Sequence, residues 1–234
     1  MAGYHPPVEQ YLELVLELEE SGIAPMRARL VERLGVSAPA VSETVGRLER
    51  EGYVTLDPAR VIRLTATGRD FATAVMRRHR LAERLLVDVL GVPWSQVHEE
   101  AGRLEHAISP TLEPYLVSLL GDPATCPHGN PIPGSANAQA PEPLTALSGA
   151  AAGDRVIVRR IDEELEAQLL RMRELERDEI VPGSEVLVTG VGPEGLEVRV
   201  RAAVAAGHAP PPTAQSVHVD TAVAAKVYCG AVPA

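Results

Sequence analysis

Residues 26–68, "MRARLVERLGVSAPAVSETVGRLEREGYVTLDPARVIRLTATG", limit the fold more than any other stretch. Apolar positions recur at helical spacing through 26–35 and again through 36–52, and Gly35 and Gly52 stop the two runs. Ser37 stands where the second helix needs an N-cap, with Pro39 in its first turn. Two short β-like runs follow, "YVTL" and "RVIRL", around the turn signal "DPA". A further amphipathic run, "PPVEQYLELVLELEE" (6–20), precedes them. Helix, turn, helix and hairpin in this order predict a winged helix-turn-helix.

Helical spacing continues through 66–90, 94–107 and 109–121. Composition then shifts: residues 122–150 are rich in Pro, Ala, Gly and Ser, which reads as an ordered loop followed by a flexible linker. Beyond it, "DRVIVRRI", "EVLVTGV", "LEVRVRAAV" and "VHVDTAVAAKVYC" are β-like, with one helical insert over 162–179. A small β-barrel-like domain is expected there. "GVGPEG" (190–195) matches the dinucleotide fingerprint, but a strand follows where that fold needs a helix, so it reads as a hairpin turn.

Chemistry narrows the function classes. A chain of 234 residues with 45% hydrophobic residues can bury a sizeable core, and with 3% aromatics that core must be aliphatic. No apolar run approaches the roughly 20 residues of a membrane span, and the acidic, Pro-containing start is unlike a signal peptide, so a soluble, cytoplasmic protein with no membrane partner is expected. Cys126 and Cys229 are too few and too far apart for a disulfide framework. The formal charge of −10 argues against nonspecific coating of nucleic acid, while leaving room for a sequence-specific binder with local cations. Lys226 is the single lysine, so nearly all cations are arginine, whose planar fork suits phosphates and guanine edges; codon bias would give the same pattern.

The 37–51 helix would enter the DNA groove. Its leading residues Ser37, Ala38, Pro39 and Ala40 are small enough for close approach to base edges, with Ser42 on the next turn. Arg27, Arg29, Arg47, Arg50 and Arg60 lie on the preceding helix, this helix and the wing, from which phosphates are clamped. Glu43 would repel phosphate but can accept a hydrogen bond from cytosine.

A second chemistry resides in "RHRLAE" and "VHEEAGRLEH". His79 and Glu83 are i, i+4, and His98 lies on the next helix. His98, Gly102, Glu105 and His106 share a face at i, i+4, i+7 and i+8 of one expected helix. Nitrogen and oxygen donors with no nearby thiolate favour Mn, Fe(II), Co or Zn over Cu(I). A surface ion pair remains the alternative for any one of these pairs. Without H-E-x-x-H or a comparable motif, a metallohydrolase is disfavoured. Cys126 reads as a loop residue, with a redox or ligand role left open.

"MRARLVERLGVSAPAVSETVGRLEREG", "VMRRHRLAERLLVDVLGVPWSQVHEEA", "LEH" and "HGNPIPG" together resemble the iron-dependent regulators of the diphtheria toxin repressor family, densely over about residues 8–134. The resemblance implies a mainly α protein with a small β domain: a winged helix-turn-helix (1–65), a helical dimerisation and metal-binding domain (66–134), a linker (135–150) and an SH3-like barrel (151–234). It implies a homodimer that binds a palindromic double-stranded DNA operator as a repressor under Fe(II) or Mn(II), with Co(II) or Zn(II) as further candidates. By position, His79, Glu83 and His98 match the family's ancillary metal site, and Glu105 and His106 match two primary-site ligands. The family has Met or Asp where this chain has Gln10, and Cys or Glu where it has Gly102, so the primary set is depleted. Glu43 replaces a glutamine and Ala40 a threonine of the iron branch. Glu164 and Gln168, one turn apart on the insert, are the expected ligands from the third domain. A metal-independent or differently liganded paralogue is the rival reading.

Overall fold

The computed structural model describes residues 8–140, 142–201 and 216–232, in two compact units, 1–79 and 80–234. Residues 6–7 of the first expected helix and 202–204 of the third β-like run lie outside the described residues.

In the first unit, α1 (Val8–Glu20) buries Tyr11, Leu12, Val15 and Leu18 along one side. Helix α2 (Arg27–Leu34) stops at Gly35, whose φ of +65° places it in the left-handed region, where its N–H caps the Val31 carbonyl. Helix α3 (Ala38–Arg50) starts at Ser37, whose Oγ accepts the Ala40 N–H at 3.4 Å, and it buries Val41, Val45 and Leu48. Strands β1 (Val54–Leu56) and β2 (Ile62–Leu64) form the expected antiparallel wing. Thr65 joins wing to helix: its Oγ1 donates to the Gly52 carbonyl at 2.7 Å and accepts the Gly68 N–H at 3.0 Å. A Cβ at Gly68 would fall 1.9 Å from the Tyr53 carbonyl oxygen, so only glycine lets the next helix begin this close to the wing. These elements share one aliphatic core with Leu30, Ile62 and Met76.

That next helix, α4 (Ala66–Arg84), runs through the division between the units and ends in a single π-helical turn, Leu85–Val89. In the second unit, α5 (Val97–Leu104) and α6 (Glu113–Leu120) pack with it around Leu81, Leu86, Val97, Ala101, Leu116 and Ile132. The expected single helix through 94–107 is not continuous. It opens with a 3-10 turn at Trp94–Gln96 and closes with another at Glu105–Ala107, so Glu105 and His106 follow a tighter turn than His98.

Eight strands are named among the described residues, six of them in one antiparallel sheet ordered β3-β8-β4-β5-β6-β7. They are β3 (Thr145–Ala146), β4 (Arg155–Ile161), β5 (Glu185–Val191), β6 (Gly195–Arg201), β7 (Ser216–Asp220) and β8 (Val227–Ala231). The sheet begins inside the segment expected to be linker, because β3 pairs with β8 and Leu147 is fully buried in the domain core. "GVGPEG" is the tight connection between β5 and β6. The expected helical insert is broken in two, α7 (Glu163–Glu166) and α8 (Leu169–Arg177), with Asp162 Oδ1 accepting the Glu164 N–H to cap α7. The short helix α9 (Thr221–Ala224) precedes β8. The fold is thus mainly helical, with a C-terminal antiparallel sheet domain of SH3-like type. Among the described residues, no helix is long and apolar enough to cross a membrane.

Candidate metal centre

Three segments of the second unit meet at Glu83, near the C-terminal end of α4. The first is α5, which brings His98. The second is the loop after α6, folded back by a turn in which the Gly129 N–H donates to the Cys126 carbonyl at 3.0 Å and the Cys126 N–H to the Asn130 carbonyl at 2.8 Å. Arg84 holds this loop by its main chain, donating from Nε to the Thr125 carbonyl at 2.7 Å and from Nη2 to the Cys126 carbonyl at 3.1 Å. The third is α7, whose single turn carries Glu166.

The side chains close a ring. Glu83 Oε1 lies 3.4 Å from His98 Nδ1 and 3.3 Å from His128 Nδ1; Glu166 Oε2 lies 3.3 Å and 2.9 Å from the same two atoms. Glu83, His128 and Glu166 are buried and His98 is partly buried. Donor atoms of Glu83, Cys126 and His128 lie within 4.8 Å of one another. His128 Nε2 is 3.1 Å from the Trp94 carbonyl, an acceptor only, so Nε2 must carry a proton. When the ring is neutral, its Nδ1 lone pair therefore points at the two carboxylates, the arrangement that second-shell carbonyls impose on metal-binding histidines.

Burial opposes the charged form of His128, but the Glu166 and Glu83 carboxylates outweigh it and raise its pKa well above the ordinary histidine value. Burial likewise raises Glu166, and is overcome by the charge and hydrogen bonds of His128 and by His98, which leave it below the usual carboxylate range. Burial, reinforced by Glu83, pushes the Cys126 thiol up to about 12. Without a metal, the centre is held by a protonated imidazole between carboxylates. With one, the same atoms offer two carboxylates, two imidazoles and a thiol, a set that divalent first-row metals bind.

His98, the residue expected on the next helix, lies beside Glu83. His79 sits one turn before Glu83 on α4; it is buried, with Nδ1 3.9 Å from Glu13 Oε1 within the first unit. Glu105 is fully buried and His106 Nε2 lies 3.4 Å from it. Gln10 is half-buried on α1, and a Cβ on Gly102 would meet nothing within 4 Å.

The residues expected from the third domain, Glu164 and Gln168, lie outside this ring. Glu164 Oε2 pairs with Lys226 Nζ at 2.8 Å, and the exposed Gln168 donates from Nε2 to the Glu164 carbonyl at 3.2 Å. The α7 turn directs Glu163 and Glu166 inward instead, and Glu166 is the acid at the centre. Sequence reasoning missed Glu166 and His128 and read Cys126 as a loop residue with a redox or ligand role left open. The "CPH" spacing was a usable signal for the latter two; nothing local marks Glu166.

On the winged unit, Pro39, Ser42, Glu43, Arg47 and Arg50 are exposed on α3, with Ser37 exposed at its cap. Arg60 projects from the wing turn at φ +65°, Arg27 is half-buried at the start of α2, and Arg29 pairs with Glu32 at 2.9 Å.

Two family models match the chain: "Iron dependent repressor, N-terminal DNA binding domain" over residues 5–62, and "Iron dependent repressor, metal binding and dimerisation domain" over 65–134. The iron-dependent repressor IdeR of Mycobacterium tuberculosis (strain CDC 1551 / Oshkosh) is 45% identical over 189 residues, which cover 77% of this chain and 82% of that protein. The diphtheria toxin repressor of Corynebacterium diphtheriae is 44% identical over 185 residues, covering 76% and 82%. Among solved structures, a manganese-dependent transcriptional repressor in complex with manganese superposes with a TM-score of 0.80 at 32% identity, covering 97% of this chain and all of that one. The repressor ScaR with bound zinc gives 0.76 at 26% identity, covering 97% and 100%.

Proposed function

Because the chain belongs to the family of iron-dependent repressors that includes IdeR and the diphtheria toxin repressor, we propose that it is a dimeric repressor that binds a palindromic DNA operator when a divalent metal occupies the centre around Glu83. The observation that carries this reading is the closed ring of Glu83, His98, Glu166 and His128. Buried carboxylates this close need positive charge, which Fe(II) or Mn(II) would supply while accepting the imidazole lone pairs; Co(II) and Zn(II) suit the same donors. The Cys126 thiol completes the candidate set, and His79 stands one turn before Glu83 in the same helix. Glu105 and His106 form the residual second set, weakened because Gly102 brings no side chain. We assign sensing to the Glu83 centre for that reason.

The chain's own residues then do three things. Trp94 and Arg84 orient the loop donors, so little ordering remains when the ion arrives. Glu83 and His79 lie on α4, the helix that follows the wing directly in the chain, so bracing it biases the DNA-competent shape; a ligand shifts such an equilibrium only by its differential affinity. Ser37, Pro39, Ser42 and Glu43 are placed to read base edges, with Arg27, Arg29, Arg47, Arg50 and Arg60 on phosphates. A second copy would cover the exposed apolar side chains Val89, Leu90, Leu112, Tyr115 and Leu119 of the helical segment.

The test is binding to DNA fragments selected from a random library, followed by fluorescence anisotropy with and without chelator. Binding should need Mn(II) or Fe(II) and be lost in Glu83→Gln. Full affinity after chelation would sink metal control and favour the metal-independent paralogue.

A further inference from the structure

We propose that the Cys126 sulfur enters the centre as a thiolate ligand and makes it select Fe(II) over Mn(II). This inference rests on the reading of the Glu83 centre as a metal site and deepens it by naming the ion.

The loop after α6 brings two unlike donors to one point. Cys126, Pro127, His128 and Gly129 form a tight turn, closed by the Gly129 N–H on the Cys126 carbonyl at 3.0 Å. Both main-chain groups of Cys126 are engaged: its N–H donates to the Asn130 carbonyl at 2.8 Å, and its carbonyl also accepts from Arg84 Nη2 at 3.1 Å. The backbone that carries the thiol is thereby fixed, and at 1% exposure the sulfur stays inside the protein. Donor atoms of Glu83, Cys126 and His128 lie within 4.8 Å of one another, close enough for one ion, at bonds of about 2.0–2.3 Å, to bind all three after small side-chain adjustments.

Burial alone does not account for this thiol. A buried free cysteine ordinarily packs as a small hydrophobe, and Cys229 does so in the aliphatic core of the sheet. Among the described residues, Cys229 belongs to no cluster of metal donors. Cys126 instead shares its site with a buried carboxylate and a buried imidazole, the surroundings of a ligand.

The donor set then decides the ion. Carboxylates suit Mn(II), and imidazoles suit Fe(II) as well as Zn(II); a thiolate is soft, and adds more to Fe(II), Co(II) or Zn(II) than to Mn(II), the weakest binder of the series. Binding breaks the S–H bond, forms a metal–sulfur bond and releases the proton to solvent, with no change of oxidation state. The thiolate charge therefore arises only when the ion is present to balance it.

Co(II), a spectroscopic stand-in for Fe(II), tests this in titrations of the full chain under a non-thiol reductant. Wild type should develop an intense near-ultraviolet sulfur-to-cobalt band in step with the visible ligand-field bands, and Cys229→Ala should keep it. Cys126→Ser should retain visible bands and lose the near-ultraviolet one. Its Co(II)-to-Mn(II) affinity ratio should fall about tenfold or more, chiefly through weaker Co(II) binding. A ratio unchanged by Cys126→Ser, or a sulfur band that survives it, would refute the proposal. If that variant does not fold, the wild-type and Cys229→Ala spectra still decide, because a cobalt complex without the band holds no sulfur. Failure of wild type to take up Co(II), or uptake unaltered by Glu83→Gln, would overturn the centre itself. Visible bands that depend on Glu83 without any sulfur band would overturn only the role of Cys126.

Discussion

If a metal is captured by this centre, protons should be expelled, and His128 and Cys126, whose pKa values are displaced upward, should each release one on becoming ligands. His128 is protonated at neutral pH in the metal-free protein because Glu83 and Glu166 flank it, so its Nδ1 must release a proton before it can donate a lone pair. Cys126, at about 12, is fully protonated as well, and a metal that takes the thiolate releases a second proton. Each released proton makes the apparent affinity rise about tenfold per pH unit, or about 1.4 kcal/mol. Between pH 6.5 and 7.5, Mn(II) affinity should therefore rise about tenfold if only His128 is used and about a hundredfold if Cys126 joins it. Calorimetric Mn(II) titrations in buffers of different ionisation enthalpy count the protons directly. His128→Ala should lower the count by one; Cys126→Ser should lower it by one only if sulfur is a ligand. A count near zero in wild type, or one unchanged by His128→Ala, would refute the assignment of His128 as a metal ligand.

The same shifts dictate the stability of the metal-free protein. The contribution of Glu166, whose pKa is lowered, is present above the ordinary carboxylate value and is lost as pH falls through its folded value; that of His128, whose pKa is raised, is complete below the ordinary histidine value and lost as pH rises through its folded value. Chelated protein should thus unfold more easily at both ends of the range, and His128→Gln should remove the alkaline limb of a urea midpoint–pH profile. Two glycines should respond oppositely to alanine: Gly102→Ala, with open space around it, should stabilise α5 by about 1 kcal/mol, while Gly68→Ala, facing the Tyr53 carbonyl at 1.9 Å, should cost about 1–3 kcal/mol, both read from urea midpoints. Gly102→Glu should add an anionic donor on the helix that leads into Glu105 and His106, and raise the calorimetric metal stoichiometry in a Glu83→Gln background. An unchanged stoichiometry there would show that Glu105 and His106 are not a residual site.

The winged unit was legible because its determinants are local. Ser37 caps the helix that starts behind it, Gly35 ends the one before it, and the Asp57–Arg60 turn reverses a chain whose strands are only three residues each. The i, i+4 relation of His79 and Glu83 needs nothing beyond α-helical periodicity. Boundaries were less secure where neighbours intervene. Leu147 belongs to a sheet core assembled from segments far along the chain, so residues 145–149 are ordered despite a composition that reads as linker.

The centre itself needed the tertiary structure. Its side chains come from residues 83, 98, 126, 128 and 166, and no periodicity links a loop histidine to a helix glutamate 45 residues earlier. The choice of Glu166 over Glu164 depends on α7 stopping after one turn and on which side of it meets Arg80 and Asn130. By itself the sequence determined the helix-turn-helix and the wing, since each is a matter of residue type at short range. Only the folded chain decided which acids and imidazoles share a charge, because burial and approach within 3.4 Å arise when distant segments pack together.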